Sequence, residues 1–271
     1  HKPIIDQVNG TYDVIHFNYE PEHVSTLKTP YIITMHGNTN DTRELNKNTV
    51  FVSKNHAERY NSNSFVYNGL DWSEYTPPDF NCKRSYFHFL GKASWRVKNV
   101  AGAIDIINAT RNERLKVLGG VRFNFKMGIR LTFSQRISFY GMVGGEVKHR
   151  LLNSSKGLIF PVRWHEPFGL AIIESMFFGC PVFGTQYGSL PELVTRDTGV
   201  LSNKKDVLKE AILSNTFSPK VCHEYVRDKF SSKVMALEYV KKYEQVINGQ
   251  HLNPAYPKLT NIQQTKFLEW G

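Results

Sequence analysis

Glu166 and Glu174 stand eight positions apart in residues 161–192, PVRWHEPFGLAIIESMFFGCPVFGTQYGSLPE. On one continuous helix that spacing would turn the two carboxylates to different faces. Pro167 and Gly169 lie between them and mark the start of a helix, predicted over about residues 168–178. Glu166 then belongs to the loop approaching the helix. Glu174 lies about 8 Å further along, at a rise of about 1.5 Å per residue. The N–H groups of Phe168, Gly169 and Leu170 offer an anion site at the positive helix end. An anion between two carboxylates suits a molecule carrying sugar hydroxyls, a diphosphate and ribose hydroxyls.

The elements that must position these groups read as parallel strands with crossovers. Apolar runs at residues 12–17, 30–35, 49–53 and 64–67, with a helix at 54–60, form a first set. His36 closes the second of these strands and Gly37 follows it. The carboxyl end of a strand is where open α/β sheets bind ligands, so His36 is a candidate, and His16 at a comparable end is a weaker one. Residues 72–85, with Pro77 and Pro78, read as a linker. A second set begins with a strand at 86–90, and Gly91, Lys92, Arg96 and Lys98 precede a helix at 99–110. Then come a strand at 115–118 with Gly119 and Gly120, a helix around 122–132, and a strand at 136–140 ending in Gly141, Met142 and Val143. A helix at 146–154 leads to the strand at 157–161. Helices follow at about 206–213, 219–229 and 232–247. Met235, Leu237, Tyr239, Val240, Tyr243, Val246 and Ile247 recur at helical intervals in the last of these and are expected in the core.

The 271 residues allow two compact α/β domains, and no apolar run reaches the length of a membrane span. Three cysteines, far apart and outside any metal spacing, fit free thiols in a reducing compartment. A net charge of +10 suits an anionic partner: nucleic acid, an anionic membrane surface or a nucleotide-sugar. The lysines are scattered and no RNA-binding motif gathers them, which disfavours nucleic acid. Asp-x-Asp, His-Glu-x-x-His and Walker A patterns are absent, which counts against metallohydrolase and NTPase chemistry. Gly141-Met-Val-Gly-Gly does not fit the dinucleotide Gly-x-Gly-x-x-Gly.

Glu166-Pro-Phe-Gly…Glu174, followed by Gly179-Cys-Pro-Val and Gly188-Ser-Leu-Pro-Glu192, resembles the donor site of GT-B glycosyltransferases, glycosyltransferase family 4 in particular. The resemblance is most specific over residues 90–192 and weakest before residue 12. It implies an α/β fold of two facing Rossmann-like domains. The expected boundaries are residues 1–75, joined by the tail 250–271, for the acceptor side, and residues 76–249 for the donor side. The family's Gly-rich βα turn and a further βα unit are missing at the start, and His1 stands in place of Met. The first domain is therefore expected to be incomplete.

The resemblance implies a retaining, metal-independent glycosyltransferase with a nucleotide-diphosphate sugar, UDP- or GDP-linked, as co-substrate and no other cofactor. Lys98 matches the family lysine that meets the phosphates, and Lys92 stands where the family has arginine; Arg96 is either a substitute for that arginine or a solvated surface side chain. These cations and the helix end at Phe168, Gly169 and Leu170 would stabilise the departing diphosphate. Glu174 would hold ribose hydroxyls, and Glu166 would contact the sugar. The backbone of Gly141, Met142 and Val143 would lie against the base. His36 would orient the sugar or acceptor, which is a sugar, a lipid-linked molecule or a small molecule. The expected location is cytoplasmic, with peripheral contact to an anionic inner membrane face allowed by the charge. Two alternatives stand beside this: a catalytically silent nucleotide-sugar- or carbohydrate-binding module, and a basic nucleic-acid-binding protein.

Overall fold

The computed structural model describes residues 4–8, 10–121 and 132–271, so the helix expected around 122–132 falls outside the described residues. The chain divides into two units, His1–Leu70 with Ser232–Gln264, and Asp71–Ser231 with Thr265–Gly271. Among the described residues no helix is long and apolar enough to cross a membrane.

The first unit holds a parallel sheet of β1 (Ile15–Phe17), β2 (Tyr31–Met35) and β3 (Thr49–Phe51), in that order. Alternation along β2 sends Ile33 to one core, with Phe17, Val24 and Leu27, and Ile32 to another, with Val50. Tyr239 and Val246 of the helix Ser232–Ile247 complete that second core. This corrects the expected boundary at residue 249. The helix belongs to the first sheet because its buried face closes over Ile32 and Val50. Leu237, Val240 and Ile247 are exposed, so the apolar pattern on this helix is wider than its packed face. The expected linker is also not slack. Trp72 stacks on Phe177 at 4.5 Å and 9°, which draws residues 71–75 into the second unit.

The second unit carries six parallel strands: β4 (Tyr86–Leu90), β5 (Leu115–Leu118), β6 (Ile137–Phe139), β7 (Ser155–Phe160), β8 (Val182–Gly184) and β9 (Gly199–Leu201). Their order is β6-β5-β4-β7-β8-β9, the doubly wound Rossmann order. Phe87, Phe89, Val117, Leu158, Phe160 and Phe183 are buried, as expected for strands covered on both faces. The order reverses between β4 and β7. Their carboxyl ends lead into the loops of Lys92–Lys98 and Arg163–Glu166, so the topology brings the candidate residues to the crevice where such sheets bind ligands.

His88 on β4 is buried between two hydroxyls, with Nδ1 2.7 Å from Ser155 Oγ and Nε2 2.8 Å from Ser175 Oγ. Burial, aided by the nearby Arg84 charge, lowers its pKa to about 3. Between pH 6.5 and 3 the unfolded chain takes up a proton here that the folded chain refuses. Stability contributed by neutral His88 is thus full above pH 6.5 and is lost as pH falls, by about 1.4 kcal/mol per pH unit. His16 and His56, lowered mainly by burial to about 4 and about 3, add slope in the same direction. In urea titrations between pH 7 and 4, His88→Gln is expected to lose stability less steeply than the wild type. Parallel curves would contradict the assignment.

Candidate active site

Glycine turns close the strands on either side of the crevice. A Cβ on Gly119, at φ 110°, would lie 2.2 Å from the carbonyl oxygen of Gly91, so the turns after β4 and β5 touch through backbone alone. Gly119 N–H donates to the Gly141 carbonyl at 2.6 Å and Gly141 N–H to the Gly120 carbonyl at 2.9 Å, adding the β6 turn to this backbone floor. Met142 projects from the turn with 80% of its surface exposed.

Lys98 ends a 3-10 turn, Arg96–Lys98, and Asn99 after it is left-handed at φ 56°. Asn99 caps the helix Val100–Ala109 by accepting from Gly102 N–H at 3.0 Å. Its Nδ2 donates to the Pro161 carbonyl at 2.9 Å, and Arg163 N–H donates to the Val97 carbonyl at 2.7 Å. Two loops distant in sequence are thereby joined. Across them Lys98 Nζ meets Glu166 Oε2 at 2.6 Å, with side chains only 13% and 6% exposed. Trp164 Nε1 donates to the same oxygen at 2.8 Å, and the lysine ammonium lies 5.1 Å from the Trp164 ring centroid and 5.2 Å from that of Phe160.

The Gly188-Ser189 motif holds this carboxylate's backbone. Gly188, at φ 64°, packs so closely that a Cβ would be 2.2 Å from Glu166 N and 2.4 Å from Glu166 O. Ser189 N–H donates to the Glu166 carbonyl at 2.9 Å, and its hydroxyl donates to the Phe168 carbonyl at 2.5 Å. The helix then starts at Leu170, not at Phe168 as expected. Gly169 is its N-cap at φ 92°, and no side chain caps it. Phe168 is instead a buried anchor against Phe230, 6.0 Å between ring centroids, and Leu170 is partly exposed at the first helical position.

Glu174, one turn further along Leu170–Phe177, is paired too. Its Oε1 accepts from Lys148 Nζ at 2.5 Å and from the Tyr75 hydroxyl at 2.7 Å. Neither partner was apparent from the sequence, since Lys148 comes from the helix Gly145–Asn153 and Tyr75 from the expected linker. Trp164 was equally missed, although an indole two residues before Glu166 was a visible donor for it.

The other candidate cations stand apart from these pairs. Lys92 is exposed, with Nζ 5.6 Å from the Trp95 ring centroid. Arg96 lies over Phe267 at 5.1 Å and lines a cavity of about 250 Å³ with Arg163, Asp105 and Trp270. Among the described residues no contact joins either cation to Glu166. In the first unit, His36 Nε2 lies 2.9 Å from Asn18 Oδ1, an oxygen that only accepts, so this nitrogen carries the proton and Nδ1 is left to accept. His36 borders a cavity of about 240 Å³ with Thr34, Asp41 and Arg43. His16 is internal: Tyr243 OH at 2.9 Å and Thr34 Oγ1 at 2.7 Å occupy both its nitrogens.

Comparison with known proteins agrees with this construction. The family model described as glycosyl transferases group 1 matches residues 84–214, which include Lys98, Lys148, Glu166 and Glu174. AviGT4, a glycosyltransferase involved in avilamycin A biosynthesis, is similar in structure with TM-score 0.74 and 19% identity, over 91% of this chain and 78% of that one. Sucrose-phosphate synthase from Thermosynechococcus elongatus gives TM-score 0.68 at 16% identity, over 88% and 75%. Anabaena HepE, solved in complex with UDP and glucose, gives 0.68 at 15%, over 89% and 80%. At these identities the likeness establishes the fold, which is GT-B. An uncharacterized 41.2 kDa protein in the cps region of Klebsiella pneumoniae is 30% identical over 118 residues, 41% of this chain. The match spans about a third of that protein's length, 33%. In the stretch that matches this model, the Glu166-to-Glu174 element and the Lys98 loop converge on one crevice.

Proposed function

We propose that the chain is a retaining, metal-independent glycosyltransferase that uses a nucleotide-diphosphate sugar. The observation that carries this reading is the Lys98–Glu166 pair at the point where the strand order of a group 1 domain reverses. A fixed ammonium in a mostly buried setting suits charge developing on a leaving diphosphate, because it needs no reorganisation during the reaction. The uncapped start of Leu170–Phe177 adds a positive helix end, and exposed Lys92 adds a mobile cation. Arg96, stacked on Phe267, has the weakest claim to the phosphates. The backbone of Gly141, Met142 and Val143 would face the base.

Glu166 is held through Oε2, and its other oxygen would accept from a sugar hydroxyl. In the reaction the bond from the anomeric carbon to the phosphate oxygen breaks. A bond from that carbon to the acceptor oxygen forms on the same face, and the acceptor's proton passes to the departing phosphate. Glu166 stabilises the oxocarbenium-like centre and forms no covalent bond. His36, with Nδ1 available, contacts the sugar or an acceptor that is a sugar, a lipid-linked molecule or a small molecule.

A ligand that binds only the native state raises its stability. A panel of UDP- and GDP-sugars is therefore expected to contain a donor that raises Tm by several degrees with saturating dose. A panel with no such member, beside stabilisation by an oligonucleotide that salt abolishes, would favour the nucleic-acid-binding alternative instead.

A further inference from the structure

Glu166 and Glu174 are held in the same way. Each has one oxygen that accepts twice, from an ammonium and from a neutral donor: Lys98 and Trp164 on Glu166 Oε2, Lys148 and Tyr75 on Glu174 Oε1. Among the described residues nothing bonds the other oxygen of either carboxylate. A structural ion pair would gain most by using both oxygens, whereas a carboxylate that must receive a ligand needs one fixed and one open. Holding one oxygen through two donors also removes the side-chain freedom that a ligand would otherwise have to freeze.

The clamp on Glu174 is itself well supported. Tyr75 stacks on His149 at 4.8 Å and 21°, and packs against Trp72 at 5.3 Å. Trp72 in turn stacks on Phe177, which belongs to the same helix as Glu174. Thr76 N–H donates to His149 Nδ1 at 3.3 Å, fixing the ring that Tyr75 lies on. Lys148 is the residue before His149, so one helix supplies both the ammonium and the platform. Burial and the Glu174 charge raise the pKa of Tyr75, which keeps its hydroxyl a donor.

We infer that Lys148 and Tyr75 are positioning residues that fix Glu174 and aim its open oxygen at the ribose hydroxyls of the donor nucleotide. The inference rests on the donor reading above. It assigns the ammonium to the carboxylate rather than to the diphosphate, and it makes discrimination for ribose the property that the clamp controls.

The test is calorimetric titration of UDP and GDP, each beside its 2′,3′-dideoxy form, into the wild type, Lys148→Met, Lys148→Arg and Tyr75→Phe. The wild type is expected to favour the ribose form of its nucleotide by about 10–100-fold, the range of hydrogen bonds to a charged group. Lys148→Met should reduce that preference to below about threefold with dideoxy affinity unchanged. Tyr75→Phe should fall between, and Lys148→Arg should restore most of the preference. An unchanged preference in Lys148→Met overturns the positioning role, because the pair is then structural only. Equal loss of ribose and dideoxy forms also overturns it, because Lys148 then binds the diphosphate itself. If the wild type binds neither nucleotide, the donor reading fails. If it binds ribose and dideoxy forms equally, the role of Glu174 fails, and both results are read before any variant is made.

Discussion

Gly188→Ala is expected to disable the protein from outside the crevice, lowering turnover about 100-fold and stability by about 2–5 kcal/mol. The stability figure combines the cost of a left-handed alanine, about 1–2 kcal/mol, with that of overpacking, about 1–3 kcal/mol. Every atom the new methyl meets within 2.7 Å is backbone of His165 or Glu166, so no side-chain rotation relieves the clash. The loop must shift, and a displacement near 1 Å at a catalytic group costs about 100-fold. Gly249 provides the control. It is also left-handed, at φ 75°, but a Cβ there meets nothing within 4 Å, so Gly249→Ala should show only the conformational cost. Thermal melts and turnover on the two variants separate strain from displacement. Full turnover per folded Gly188→Ala molecule would show that the Glu166 loop position does not matter to the chemistry.

Lys98→Met is expected to reduce turnover by about 100–1000-fold, the size of effect seen when a fixed charge-stabilising donor is removed. It should also destabilise the fold by up to about 3–5 kcal/mol, because Glu166, 6% exposed, loses its ammonium and keeps only Trp164. Stability and chemistry are separated by a second substitution. Lys98→Met/Glu166→Gln replaces the stranded carboxylate with a neutral amide, so stability should return while turnover stays low.

Most of the second unit was legible from its sequence because its signals are local. Gly91, Gly119 and Gly141 punctuate apolar runs that became β4, β5 and β6, and Pro167 with Gly169 fixed the helix start to within two residues. Glu166, Glu174 and Lys98 could be singled out because each lies within a short motif. Their partners could not, since Tyr75, Lys148 and Glu174 meet only after three separate segments fold together. The domain boundary failed for a related reason. Tyr239 and Val246 announce a buried helix face, but periodicity does not say which sheet receives it. Arg96 illustrates the limit for cations. Its neighbour Phe267 lies near the other end of the chain, and no local pattern links the two.

The measurement that bears most directly on the Lys98-centred mechanism is turnover of a UDP- or GDP-sugar, as donor hydrolysis or transfer, by the wild type and by Lys98→Met/Glu166→Gln, each with and without EDTA. The account predicts wild-type turnover that EDTA leaves unchanged, and turnover at least about 100-fold lower in the double variant at comparable Tm. Wild-type turnover that vanishes with EDTA and returns with Mn²⁺, or a double variant as active as the wild type, would contradict it.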